Sequence, residues 1–216
     1  MNFSGGKLWL DPNEIEQIAL EALDGSQWPR VPNTKAIDID RVIGRHLTIE
    51  PAFVALPDGV LGQTKFSRDG KKIEIEISAT LADEAQAEIT SSVHRYRTTA
   101  AHEAGHALIH ACLYVDDDMD LFRGRPTAPT TLCRSNDIGR YDKSNWREWQ
   151  ANQAMSCLLL PKPDVLAELK TLSATAPSRD AMIRHLSTTF LVSQEVARYR
   201  LERISPTGSP LQLTLG

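Results

Sequence analysis

The chain of 216 residues has few cysteines, no long apolar run and no excess of positive charge. Its three cysteines, Cys112, Cys133 and Cys157, form no CxxC pair and leave one over in any disulfide scheme, so reduced thiols are expected. No apolar run approaches the roughly 20 residues that span a bilayer. Acidic residues are scattered through positions 11–24, where a secretory signal would need its apolar core. These absences predict a cytoplasmic protein without a membrane partner.

The composition that is present is ordinary for a globular protein. Apolar residues make up 41% of the chain and charged residues 24%. The formal net charge of −4 provides no general attraction to nucleic acid or anionic membranes, which argues against direct nucleic-acid binding. The length is sufficient for one sizeable domain with short appendages.

One segment combines a helical pattern with side chains that bind metals. Residues 93–114 are expected to form a helix, rich in small residues that allow close packing. An HExxH motif (HEAGH) lies inside it at residues 102–106. Because residues four apart share one face of a helix, the imidazoles of His102 and His106 can bind one metal ion. Glu103 is next to these ligands, where a carboxylate can act as the catalytic base.

A catalytic zinc site needs a third protein ligand, with the fourth position left open. The longer form of the motif would have Gly and His where this chain has Ile109 and Cys112, so the ligand must come from elsewhere. Glu148, at the start of a predicted helix at 146–160, is the best candidate. Asn152 follows one turn later and is placed to hydrogen-bond a ligating histidine. Spacing alone also allows Glu148 to be an ordinary acid near a helix N-terminus, where the dipole favours it.

The two motifs together resemble the ImmA/IrrE-type zinc metallopeptidases. The similarity spans residues 37–201 and includes LPDGVLGQTKF, RYRTTAAHEAGHALIH and EWQANQAMSCLLLP, the last being similar to the family's E-x-x-A-N-x-F-A-x-x-L-L-x-P. The resemblance implies that Glu148 is the third ligand, that Zn²⁺ is the cofactor and that an internal peptide bond is hydrolysed. It also implies a narrow protein substrate, often a helix-turn-helix transcriptional repressor. The chain departs from the family pattern in a long, proline-rich insertion between the motifs.

An α+β fold is expected, in which a small, mostly antiparallel sheet from residues 47–78 packs against helices, one of them a zincin-like HExxH active-site helix. Strict alternation at 73–77 after an Asp-Gly turn predicts a hairpin with 62–66. Further helices are predicted at 164–173 and 180–203. The expected organisation has three parts: an N-terminal helix and linker at 1–36, the zinc metallopeptidase domain at 37–204 and a flexible tail at 205–216.

A rival hypothesis is a non-catalytic, zinc-stabilised binding protein that regulates through protein or DNA contacts. Residues 181–203 loosely match a helix-turn-helix, with Ser193 as an N-cap and three arginines downstream. The absence of a second basic cluster argues against the DNA-binding form of this hypothesis.

Several details of the catalytic hypothesis stay open at this level. An extended substrate is expected to pair with strand 73–77 at the edge of the sheet, while a loop at 123–140 limits entry. His110 is expected to be a hydrogen-bonded core histidine beside the site. The oxyanion donor is undecided among four side chains, Tyr96, Tyr114, Arg140 and Tyr141.

Overall fold

The computed structural model describes residues 2–4, 7–67, 72–113, 130–134, 145–173 and 178–205. The helices, in chain order, are α1 (Pro12–Gly25), α2 (Ile39–Val42), α3 (Ala79–Gln86), α4 (Thr90–His110), α5 (Trp146–Leu159), α6 (Lys162–Ser173), α7 (Arg179–Phe190) and α8 (Gln194–Ile204). The strands are β1 (Asn2–Ser4), β2 (Lys7–Trp9), β3 (Ala52–Val54), β4 (Val60–Phe66), β5 (Ile73–Ser78) and β6 (Thr130–Arg134). Segregated helices and a small sheet confirm the predicted α+β class.

The sheet that positions the site has the strand order β3-β5-β4-β6. The predicted hairpin is confirmed, since β4 and β5 pair antiparallel with Gly62 opposite Ile77 and Phe66 opposite Ile73. The strand β3 joins β5 in parallel, and β6 joins β4 antiparallel, so the sheet is mixed but mostly antiparallel. Inward residues of β4 and β5 alternate with less buried ones, which gives the sheet one face for packing on α4.

Two expectations about this sheet are wrong. The strand at 73–77 is not an edge strand, because β3 pairs with residues 76–78 on one side of β5 and β4 pairs along the other. A substrate therefore does not find strand 73–77 free along its length. The stretch 123–134, expected to be a loop, contains β6 at its end. Its Thr-Thr-Leu-Cys-Arg sequence has the β-branched residues that suit a strand, although the preceding prolines obscured that signal.

The helices also differ from the predicted pattern in two places. The expected helix 180–203 is broken into α7 and α8 at Leu191, which has a left-handed backbone (φ 53°). Ser193 then caps α8 by accepting a hydrogen bond from the Val196 amide. The helix α3, which was not predicted, begins at Ser78, whose hydroxyl accepts from the Leu81 amide. The break before α8 had one signal in the sequence, Ser193 as an N-cap, which the structure confirms, whereas the cap at Ser78 was overlooked.

The N-terminal segment shares the core of the remaining chain. The helix α1 begins with a capping box, in which the Asp11 and Glu14 side chains each accept from the other's backbone amide. It packs along α5. Leu8 of β2 and Ile15 of α1 lie in one buried cluster with Ile109 of α4. The division at residue 36 stays a prediction, and burial is continuous across it.

Long apolar helices are missing from the described residues. None of the helices there combines the length and hydropathy that a membrane span requires.

Candidate metal centre

The helix α4 presents both histidines of the motif from one buried face. His102 and His106 are fully buried. Their Nε2 atoms lie 3.1 Å apart, and their rings are 4.8 Å apart between centroids. The four-residue spacing on a continuous helix produces this convergence, as the sequence predicted.

A glycine in α4 brings α5 close enough to complete the group. A Cβ atom on Gly105 would lie 3.0 Å from the Ala151 carbonyl oxygen and 3.1 Å from Ala154 Cβ, so only glycine allows this approach without a shift. Glu148, in the first turn of α5, thereby reaches both imidazoles. Its Oε2 lies 3.0 Å from His102 Nε2, and its Oε1 lies 3.4 Å from His106 Nε2.

The three side chains fit a metal ion by their chemistry and their spacing. Ligand atoms of His102, His106 and Glu148 all lie within 4.8 Å of one another. A tetrahedral ion bound at about 2.0–2.1 Å has ligands roughly 3.3–3.4 Å apart, close to the separations seen here. Two imidazoles and one carboxylate form a typical donor set for a catalytic zinc, with the fourth position available.

The outer nitrogen of each imidazole is also engaged. His102 Nδ1 lies 3.2 Å from Asn152 Oδ1, where the ring nitrogen can donate and leave Nε2 free. His106 Nδ1 lies 3.0 Å from the Nδ1 of His110, which is fully buried. His110 is thus a hydrogen-bonded core histidine, as expected. Asn152, proposed on its spacing from Glu148, stands where that spacing predicted it.

Glu103, which follows His102 in the motif, lies against β4. It is fully buried, and Thr64 Oγ1 donates a hydrogen bond of 2.5 Å to its Oε2. Its Oε1 has no hydrogen-bond partner among the described residues. A Cβ atom on Gly62 would lie 3.1 Å from that Oε1 and 2.7 Å from Thr99 Cγ2, so the glycine makes room for the carboxylate. One oxygen is therefore held by Thr64, and the other is buried without a hydrogen-bond partner among the described residues.

Burial and mutual charge set the protonation of these groups. Burial raises the pKa of Glu103 to about 7, a value suited to a general base. Burial also opposes ionisation of His102 and Glu148, but the hydrogen bond between them outweighs it. That bond raises the pKa of His102 and lowers the pKa of Glu148. Burial, together with the neighbouring His106, holds the pKa of His110 well below its usual value.

Of the four candidates for the oxyanion donor, Tyr96 is within the described residues. The Tyr96 hydroxyl donates to Asp40 at 2.8 Å, which engages it outside the group around Glu148. The other three oxyanion candidates, Tyr114, Arg140 and Tyr141, lie outside the described residues. Thr64 and Gly62 were missed by sequence reasoning. A glycine inside a strand signals close backbone approach, and that signal at Gly62 was available.

One of the three arginines on which the rival DNA-binding hypothesis depends is buried and already paired. Arg200 of α8 is 1% exposed and donates to both carboxylate oxygens of Glu16, at 2.6 and 2.8 Å. A guanidinium in this buried pair does not reach a phosphate. At Arg200, α8 therefore contributes to the buried core and not to a DNA-binding surface.

A buried His, His and Glu set on two packed helices of an α+β fold is an arrangement typical of metallopeptidases. A protein-family model, that of the IrrE N-terminal-like domain (Peptidase M78), matches residues 90–202, which is more than half of the chain. The chain therefore belongs to this metallopeptidase family, as the sequence resemblance indicated. A comparison with curated proteins gives no match.

Proposed function

We propose that this protein is a zinc-dependent endopeptidase, with His102, His106 and Glu148 as metal ligands and Glu103 as the catalytic base. The convergence of the three ligand atoms within 4.8 Å beside a buried carboxylate carries the proposal. Membership of the M78 family supports the peptidase activity. Asn152 is proposed as the partner that orients His102.

The bound zinc would supply a Lewis acid for the scissile carbonyl and a lowered pKa for the attacking water. Glu103 would accept the proton of that water at Oε1 and later deliver it to the leaving amine. Thr64 would hold Oε2 during both transfers, so that the carboxylate does not rotate away. Gly62 would keep β4 clear of the Oε1 atom.

The substrate we propose is a particular protein, cut once, and not unfolded protein in general. The family resemblance supports a helix-turn-helix transcriptional repressor in this role, so that cleavage would relieve repression. The direct test incubates the zinc-loaded protein with the repressor encoded beside its gene and maps new termini by mass spectrometry. A single new pair of termini is expected, with little digestion of casein. Rapid digestion of casein would contradict the regulatory role and leave the zinc chemistry intact.

The catalytic role of Glu103 is tested by Glu103→Gln. This change keeps the size of the side chain and the contact with Thr64 but removes the base, so the cleavage rate should fall by about 10²–10⁴. Zinc content should not change, because Glu103 is adjacent to the ligands without being one of them. Equal cleavage by the variant and the wild type would exclude the mechanism and favour the non-catalytic binding protein.

A further inference from the structure

A chain of buried hydrogen bonds leads from His106 to the N-terminal hairpin, in which β1 and β2 pair antiparallel with Asn2 opposite Trp9. His106 Nδ1 lies 3.0 Å from His110 Nδ1, and His110 Nε2 lies 3.0 Å from Gln150 Oε1. The amide nitrogen of Gln150 donates to the backbone carbonyl of Leu8, in β2, at 3.0 Å. All four residues are fully buried. The chain thus joins α4, α5 and β2 through groups that water does not reach.

The backbone carbonyl at the end of the chain determines the direction of every bond in it. A carbonyl only accepts, so Gln150 must turn its nitrogen to Leu8 and its oxygen to His110. That oxygen also only accepts, so His110 carries its hydrogen on Nε2. A neutral His110 then has a bare Nδ1, which accepts from the Nδ1–H of His106. His106 is left with a bare Nε2, the form that binds a metal.

A second set of contacts joins the same hairpin to His110. The Trp9 ring of β2, which is 47% exposed, lies 6.3 Å from the ring of Trp146. Trp146 in turn contacts the His110 ring edge to face, at 5.6 Å and 90°. The hairpin therefore supports His110 through both a polar and an aromatic contact.

We propose that His110 and Gln150 are positioning residues of the metal centre and that β2 is part of that centre through the Leu8 carbonyl. Together they hold His106 in the tautomer with a free Nε2. The inference rests on the proposed metal site at His102, His106 and Glu148. It adds that residues far apart in the sequence, at positions 8, 110 and 150, prepare one ligand before the metal arrives.

The first test measures zinc affinity by chelator competition for a set of variants of the full chain. His110→Phe keeps a ring but removes the acceptor, and zinc should bind about 10- to 100-fold more weakly. Gln150→Met keeps the length but removes both polar ends, and a smaller loss is expected. Because Gln150 acts through His110, the double variant should bind zinc no more weakly than His110→Phe alone.

The control is Ile109→Val, which disturbs the same core cluster without touching the hydrogen-bond chain. It should leave zinc affinity within about twofold of the wild type, since it alters no partner of a ligand. An equal loss in Ile109→Val would show that affinity follows core packing, and the proposal would be wrong. Losses that simply add in the double variant would also overturn it.

The second test reads the tautomer without any metal. Long-range ¹H–¹⁵N spectra of the zinc-free protein should show His106 protonated at Nδ1 and His110 at Nε2, and Gln150→Met should mix the two forms of His110. A wild-type His106 protonated at Nε2 would overturn this inference, whether or not zinc binds. Failure of the wild type to bind zinc, with the expected tautomers present, would instead overturn the proposed function.

Discussion

Two buried polar regions touch α5, and they differ in how their polar atoms are satisfied. In the Arg200 cluster, formed by Glu16, Cys157 and Arg200, the guanidinium makes a two-pronged bond to Glu16 and a 2.8 Å bond to the Leu160 carbonyl. In the candidate metal centre, formed by His102, His106 and Glu148, the two Nε2 atoms face one another at 3.1 Å with the carboxylate beside them. The Arg200 cluster contains its own cation, the guanidinium. The other region consists of three side chains that can together bind a metal cation.

Because of this difference, we expect a structural role for the Arg200 cluster and a metal-binding role for the other region. A buried charge with partners from its own chain links elements, here α1, α5 and α8, and needs nothing further. Two imidazoles and a carboxylate that converge on one point form a donor set that a metal cation can occupy. The two regions should therefore respond in opposite ways to mutation, one through stability and the other through metal binding.

The largest expected effect is on zinc binding, from Glu148→Ala. Loss of a direct ligand should weaken zinc binding by more than about 100-fold, because loss of an outer partner alone costs 10- to 100-fold. The free energy of unfolding of the zinc-free protein should hardly change. Chelator competition and urea titration measure the two quantities. Glu195→Ala, an exposed acid in the first turn of α8, is the matched control, and full zinc affinity in Glu148→Ala would place the third ligand elsewhere.

The next effect breaks the Arg200 cluster with Glu16→Gln. Arg200 is then buried without its counter-charge, which should lower the free energy of unfolding by about 3 kcal/mol. Zinc affinity should be unchanged, since Glu16 contacts Arg200 and Cys157 and none of the proposed ligands. Urea titration of the zinc-free protein measures the free energy of unfolding, and chelator competition measures the zinc affinity. If Glu16→Gln bound zinc more weakly and kept the wild-type free energy of unfolding, the roles assigned to the two regions would be wrong.

A smaller effect is expected from Asn152→Ala at the edge of the metal centre. His102 loses the acceptor at its Nδ1, so zinc affinity should fall by about 10- to 100-fold. Asn152→Asp keeps an acceptor and should bind zinc more tightly than Asn152→Ala. Gln153→Ala, the next residue on α5, contacts Tyr199 and controls for damage to the helix. Identical chelator competition curves for Asn152→Ala and the wild type would remove Asn152 from the site.

The smallest expected effect is the pH dependence of the stability that Glu16 contributes. Burial would raise the pKa of Glu16, but the hydrogen bonds from Arg200 outweigh it and lower the pKa below 4.5. A depressed pKa stabilises the folded state above the unfolded-state pKa, and this contribution is lost as the pH falls through the folded-state value. The stability difference between wild type and Glu16→Gln should be constant near neutrality and shrink below about pH 4.5. A difference that grows on acidification would contradict the assignment.

Some elements were predictable because their signals are local. The helices α4 and α5, the β4–β5 hairpin and the HExxH motif depend on spacing along a few turns or one reversal of the chain. Asn152 lies one turn after Glu148 because a helix repeats every 3.6 residues, whereas the approach of Glu148 to the histidines of α4 was implied by the family resemblance. The roles of both residues stay predictions. Errors arose where distant segments decide the outcome. The strand β3 covers part of the edge of β5, and the bonds from Arg97 to the carbonyls of Phe190 and Leu191 secure the break between α7 and α8.

The sequence by itself determined which residues we propose for the chemistry: two histidines on one helix face, a glutamate that follows the first of them and a second glutamate opening another helix. Only the tertiary structure decided how they are held. Gly105 admits α5 to α4, Gly62 and Thr64 seat Glu103, and the Leu8 carbonyl orients the bonds that reach His106. Periodicity fixes neighbours within a helix, whereas a contact such as that between Gln150 and Leu8, 142 positions apart, depends on packing of the whole chain.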